Sequence, residues 1–165
     1  EGELSDVHYV NQGLLLESVT IPYGLHTGLR EVSTKMNRSV ADIESYVRMS
    51  SEAALETTAD MEMEKTVAES RESWKGWFEK ALQSLSKGSI VPTGILLISE
   101  GENANWIKKA IESETFMKYR IHGLSFTITE INFDYLSGYY KGVIQTKVHP
   151  TVLLHGVYII ERLDI

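Results

Sequence analysis

The segment SRESWKGWFEKALQSLS, residues 70–86, carries the strongest structural signal in the sequence. Its apolar residues recur at steps of three and one, which places them on one face of an α-helix. Large aromatic side chains bury about 150–250 Å² each. We therefore predict that this amphipathic helix anchors the core. The apolar residues of its predicted buried face are Trp74, Trp77, Phe78, Ala81, Leu82 and Leu85.

The chain before this segment is also predicted to be largely helical. Residues 25–36 have apolar side chains at helical spacing, and Ser39 with Asp42 is typical of the cap that opens a second helix. That second helix is rich in small residues as far as Ala59. The two segments predict a helical hairpin. Residues 1–23 are ambiguous, and helix is slightly favoured for their first part.

The second half of the sequence changes character. A short strand is predicted near residues 95–98 and a helix over 104–117; after Lys118 the apolar period becomes two, which is typical of strands. Short turns separate three predicted strands, so we expect them to pair antiparallel. The predicted fold class is α+β: N-terminal helices (a helical hairpin plus the aromatic amphipathic helix) packed on a C-terminal antiparallel sheet of about three to four strands.

Length and charge restrict the organisation and the partners. A chain of 165 residues fits one domain, 1–165, with a helical part at 1–88 and a helix-plus-sheet part at 89–165. Of the net charge of −7, residues 1–88 carry 15 acids and 9 bases, a balance of −6. Such a surface repels a phosphate backbone, so nucleic acid is not an expected partner.

Motifs for catalysis or cofactor binding are absent from the sequence. The 5 histidines are never three or four residues apart, and the chain has no Cys, so no metal ligand set is predicted. No glycine-rich phosphate loop and no serine nucleophile elbow occurs. We therefore predict no catalytic, cofactor-binding or metal-binding residue and expect a non-enzymatic protein.

The location of the protein is predicted from weaker features. Asn37-Arg38-Ser39 fits the acceptor rule for N-glycosylation and falls between two predicted helices. No apolar run reaches the length of a spanning helix, and the chain begins at Glu1 rather than Met. We expect an extracytoplasmic or cell-surface location, with a membrane anchor outside this chain. A cytoplasmic location is the alternative.

The order of the predicted elements resembles a known group of proteins. Three features, in this order, resemble the extracytoplasmic domains of membrane-anchored, pilin-like surface proteins of archaea. They are small-residue helices over Val40–Ala59, an aromatic helix, and the run 106–111 (WIKKAI) leading into Tyr119 and alternating strands. The resemblance covers general order over most of the chain. It implies helices before an antiparallel sheet and a role at the cell surface, and it transfers no functional residue.

Three functions follow as expectations. The first is a non-enzymatic, membrane-anchored surface domain with a structural or protein-binding role. The second is a small-molecule sensor, whose aromatic lining would be Trp106, Tyr119, Tyr139 and Tyr140. The third is a homo-oligomeric assembly protein that associates through its small-residue helix. The expected partner is accordingly another protein or a second copy of the chain.

Overall fold

A helix of 29 residues forms the centre of the computed structural model. The structure describes residues 2–12, 14–49, 58–86, 91–98, 104–112, 114–119 and 124–131. The fold class is α+β, as predicted. The elements in chain order are β1 (Ser5–Asn11), β2 (Leu14–Ile21), α1 (Leu25–Met36), α2 (Val40–Met49), α3 (Thr58–Ser86), β3 (Gly94–Leu97), α4 (Ala104–Ile111), a 3₁₀ helix (Glu114–Tyr119) and β4 (Thr127–Glu130).

The chain opens with an antiparallel β-hairpin of β1 and β2, which corrects the predicted order of N-terminal helices before a C-terminal sheet. Along β1 the half-buried Val7 and Tyr9 alternate with the exposed Asp6 and His8. This period of two is the signature of a strand, so the helix favoured for the first residues was wrong. Gln12 has a φ of 50°, the left-handed conformation that a tight hairpin turn requires.

Helices α1 and α2 pack against each other, and α1 also packs against α3. Asn37 ends α1 in the left-handed conformation, and its backbone N–H donates to the carbonyls of the last helical turn. The predicted cap of α2 is confirmed, because the Asp42 backbone N–H donates to Ser39 Oγ at 3.1 Å and that hydroxyl donates to the Asp42 carboxylate at 2.7 Å. These caps fix the direction in which α2 leaves α1.

Helix α3 contributes more residues to the hydrophobic core than any other element. The Trp74 ring stacks on Phe78 with centroids 4.9 Å apart, and Trp106 meets Trp74 edge-on at 6.2 Å. Trp77 was predicted to lie on the same buried face, but it is 38% exposed, against 2% for Trp74. It stands at the margin of the buried stripe, where Lys80 Nζ lies 4.3 Å from its ring centroid. The prediction of three aromatic anchors is therefore corrected to Trp74 and Phe78.

Strands β3 and β4 pair in parallel, with α4 and the 3₁₀ helix between them in sequence. This β-α-β unit corrects the expectation that every strand of the second half pairs antiparallel. A parallel pair needs a crossover connection, and α4 occupies it. Ile95 and Ile128 are partners in the register and face the core. The strands predicted over 140–148 and 152–165 lie outside the described residues.

Candidate interaction surface at the hairpin tip

The lower part of the β1–β2 hairpin, residues 5–9 and 17–21, is its base. On the outward face of the base, Thr20 Oγ1 donates to the Asp6 carboxylate at 2.6 Å, and Ser18 Oγ and His8 Nδ1 lie 2.8 Å apart. Both pairs are direct cross-strand partners. Such pairs stabilise the register of two strands.

The base is also fastened to α3. Trp74 Nε1 donates to Ser5 Oγ at 3.2 Å, and the same hydroxyl donates to the Tyr23 carbonyl at 3.0 Å. Ile21, at the end of β2, is 1% exposed within the core. The helix therefore holds the first residues of β1 and the last residues of β2 through both polar and apolar contacts.

A polar network continues from the base into the helices, buried at Tyr23 and Ser70 and reaching the surface at Lys35. Tyr23 Oη donates to the Glu31 carboxylate at 2.5 Å and lies 3.0 Å from Ser70 Oγ. Burial raises the pKa of the Tyr23 hydroxyl to about 12, and the hydrogen bond to Glu31 adds to that rise. The same bond lowers the pKa of Glu31. Lys35 Nζ, 3.1 Å from the Glu31 carboxylate, completes the network.

The N-terminal residues reinforce this arrangement at the start of α1. Gly24 offers no side-chain cap; instead the His26 backbone N–H donates to the Gly2 carbonyl at 2.9 Å. The Glu3 carboxylate pairs with both terminal nitrogens of Arg30, and that contact holds the pKa of Glu3 below its usual value. The segment before β1 is thereby tied to the helix after β2.

The other end of the hairpin, the hairpin tip, is apolar and exposed. Its four large apolar side chains are between 51% and 61% exposed. They belong to Val10, Leu14, Leu15 and Leu16.

Both faces of the hairpin tip are open. Val10 and Leu15 are cross-strand partners on the outward face, above the Asp6–Thr20 and His8–Ser18 pairs. Leu14 is opposite Asn11, on the face that at the base turns towards the core. The register shifts between Tyr9 and Val10 so that Leu16 has no partner in β1, which is a β-bulge. The tip is thus an apolar wedge exposed on both sides.

A second exposed apolar position lies on the parallel pair. Leu96 is 70% exposed, between the core-facing Ile95 and Leu97 of β3. Ile98 and Leu124 are also exposed. Parallel strands are usually covered on both faces. These side chains are spread over two chain segments, whereas the hairpin tip is one continuous element.

Of the four predicted ligand-lining residues, the two that the structure describes are buried. Trp106 is in the core against Trp74. Tyr119 is buried at the end of the 3₁₀ helix, and its hydroxyl donates to the Glu79 carboxylate at 3.4 Å. Tyr139 and Tyr140 lie outside the described residues. The predicted glycosylation residue, Asn37, is exposed at the end of α1.

No catalytic or metal centre emerges from the part of the chain that is described. Within it, no three or more His, Asp or Glu side chains are grouped in a way that would hold a metal ion. The Glu79 carboxylate, whose pKa is lowered, has its charge partner in Lys118, whose pKa is raised. None of the helices among the described residues is long and apolar enough to cross a membrane.

Sequence reasoning noticed the apolar run Leu14–Leu16 but assigned it no role. The signal that would have identified it is Asn11-Gln12-Gly13, which is typical of a tight turn, placed directly before three consecutive leucines. Consecutive leucines next to a turn cannot all face one core, because neighbouring strand residues point to opposite faces. Comparison with protein-family models, with curated proteins and with solved structures finds no match to this chain.

Proposed function

We propose that this protein is a non-enzymatic protein-binding domain that docks through its hairpin tip. The observation that carries the proposal is the exposure of four large apolar side chains on one hairpin. Isolated exposed apolar residues are common on protein surfaces, but a continuous exposed cluster is typical of an interaction site.

The base lowers the free-energy cost of docking through the tip. Binding normally costs free energy for ordering the contacting segment, and a segment that is already ordered avoids much of that cost. Here the cross-strand pairs of the base and the Trp74–Ser5 hydrogen bond order the hairpin in the free protein. Burying each half-exposed tip side chain then contributes about 1 kcal/mol.

We extend the proposal to the cell surface, where a membrane anchor outside this chain would tether the domain. Its support is the exposure of Asn37 within an acceptor tripeptide. Intact-mass measurement of the protein from its own cells tests this extension. An Asn37 glycan in the intact mass supports the extension. Recovery of the whole protein from the cytoplasmic fraction of those cells contradicts it.

Site-specific photo-crosslinking in cells tests docking through the tip. A benzophenone amino acid in place of Leu15 should give a discrete adduct, and the same group in place of the exposed Lys109 on α4 should not. A Leu16→Ser substitution added to the Leu15 probe should abolish the adduct. A matched Met61→Ser control should preserve it, because Met61 is 57% exposed on α3 and outside the tip. No adduct at Leu15, or identical patterns at both probe positions, contradicts the proposal.

A second candidate function is self-assembly, favoured by the exposure of Leu96 in addition to the hairpin tip. Two separate apolar surfaces on one chain allow a head-to-tail contact between copies. Sedimentation velocity distinguishes this candidate. Self-assembly predicts species larger than a monomer that Leu96→Ser or Leu15→Ser removes, whereas a monomer at every concentration excludes it. The sensor alternative has less support, because Trp106 and Tyr119 belong to the packed core.

A further inference from the structure

We infer that the partner of the hairpin tip is a different protein whose apolar cleft has a cationic rim. This inference rests on the proposed function and specifies the chemistry of the surface that the tip enters. Two features of the tip support it: its shape, which is open on two sides, and the charge of the chain around it.

The shape of the tip requires a concave partner. Val10 and Leu15 lie on one face of the hairpin, Leu14 lies on the other, and Leu16 is displaced by the bulge. A flat surface covers one of these faces and leaves the other in water. A cleft covers both, so it removes far more apolar surface from water for the same element.

The area of the tip argues against the tip of a second copy as the occupant. Four side chains exposed by 51–61% amount to a few hundred Å² of apolar surface. Two tips pressed together would bury less than the roughly 1,200 Å² at the lower end of stable interfaces. A cleft covers both faces of one tip and adds its own walls, so it buries more area than a second tip does.

The acidic residues near the tip indicate the charge that the rim of the partner's cleft carries. The hairpin has two acidic residues and no Lys or Arg: Glu17 directly follows the leucine run, and Asp6 is exposed on the outward face below Val10. Glu3, before β1, pairs with Arg30 and lies away from the tip. An anionic bilayer is repelled by these charges, although an apolar wedge suits a membrane by shape alone. Cationic side chains at the rim of a cleft attract them.

The test uses the protein recovered in the Leu15 adduct, identified by mass spectrometry and then produced in pure form. Its binding to the full chain is followed by surface plasmon resonance at low and high salt. Leu15→Ser should raise the dissociation rate about tenfold or more, because the tip is lost from the cleft. Asp6→Asn with Glu17→Gln should lower the association rate about threefold or more at low salt and flatten its salt dependence, because steering is lost.

Vesicle flotation, with phosphatidylcholine alone and with added phosphatidylglycerol, separates a membrane from a protein partner. The inference expects the chain to stay in solution with both. The inference is overturned if the parent chain floats with the vesicles and Leu15→Ser abolishes that flotation. An adduct consisting of two copies of the chain also overturns it. If a Leu15 adduct forms with another protein but the Asp6→Asn/Glu17→Gln variant associates as fast as the parent, the cationic rim is wrong while docking through the tip stands. If no adduct forms at Leu15, both fail.

Discussion

The base and the tip of the β1–β2 hairpin are built from similar residues but lie in different environments. At the base, Val7, Val19 and Ile21 pack on the core under α3. At the tip, Val10 and the leucines of 14–16 are more than half exposed. The strand sequence alone does not decide the burial of an apolar side chain here. What decides it is whether a helix lies beneath that part of the strand.

The largest effect is expected where the base meets α3. Trp74→Ala removes the stack on Phe78, the edge contact with Trp106 and the hydrogen bond to Ser5. We expect the free energy of unfolding to fall by about 3–5 kcal/mol in urea denaturation. Trp77→Ala is the matched control, with an expected loss of about 1 kcal/mol or less, because its ring is partly in water. Equal losses for the two tryptophans would contradict the division between them.

A smaller effect is expected at the contact of α1 with α3. A Cβ at Gly28 would lie 2.7 Å from Ser70 Oγ, which is hydrogen-bonded to Tyr23. Gly28→Ala should therefore lower the free energy of unfolding by about 1–3 kcal/mol, in spite of the higher helix propensity of Ala. Ser70→Ala removes the obstructing oxygen, so adding it should recover part of the loss. Strictly additive losses in this double-mutant cycle would show that the two positions do not meet.

The Tyr23 network should make the support of the base sensitive to high pH. The pKa of Tyr23 rises from 10.0 to about 12 on folding, chiefly through burial. The protonated hydroxyl therefore stabilises the fold fully below pH 10, and that contribution is lost as the pH rises towards 12. Denaturation midpoints measured between pH 9 and 12 should fall more steeply for the parent than for Tyr23→Phe. Parallel curves would place the Tyr23 hydroxyl in water.

The smallest effect on stability is expected at the tip. Leu15→Ser should change the free energy of unfolding by no more than about 0.5 kcal/mol, because the side chain has little contact to lose. Met61→Ser, at a similarly exposed position, should behave alike. The measurement is the same urea denaturation used for Trp74→Ala. A loss of about 2 kcal/mol or more at Leu15 would mean that the tip is buried by the fold, and it would remove the contrast with the base.

Local chemistry was predictable where a few neighbouring residues decide the structure. The cap formed by Ser39 and Asp42, the helix face around Trp74 and Phe78, and the α+β class all follow from spacing and from well-understood side-chain preferences. These features need no knowledge of distant parts of the chain.

Features that depend on distant contacts were missed. Trp77 lies at the margin of its helix face, so its burial depends on whether a remote element covers it. The parallel pairing of β3 with β4 is set by packing across the crossover, whereas alternation alone fits either direction. The hairpin was overlooked because the apolar run at 14–16 obscured the alternation of β2. The candidate site was missed with it, because the turn signal at residues 11–13 was not combined with the leucine run, and the extent of exposure also depends on the position of α3.

The hydrogen bond from Trp74 to Ser5 joins residues 69 positions apart. At translation rates of about 5–20 residues per second, the completed hairpin is synthesised roughly 3–11 s before the indole that holds it, since Ile21 precedes Trp74 by 53 residues. For that interval a run of three leucines is available for misassociation with other nascent chains. Glu17 directly follows the run in sequence, and a charge in such a position acts as a gatekeeper against aggregation. The acidic residue next to the tip thus has a second use, during synthesis, before the folded domain exists.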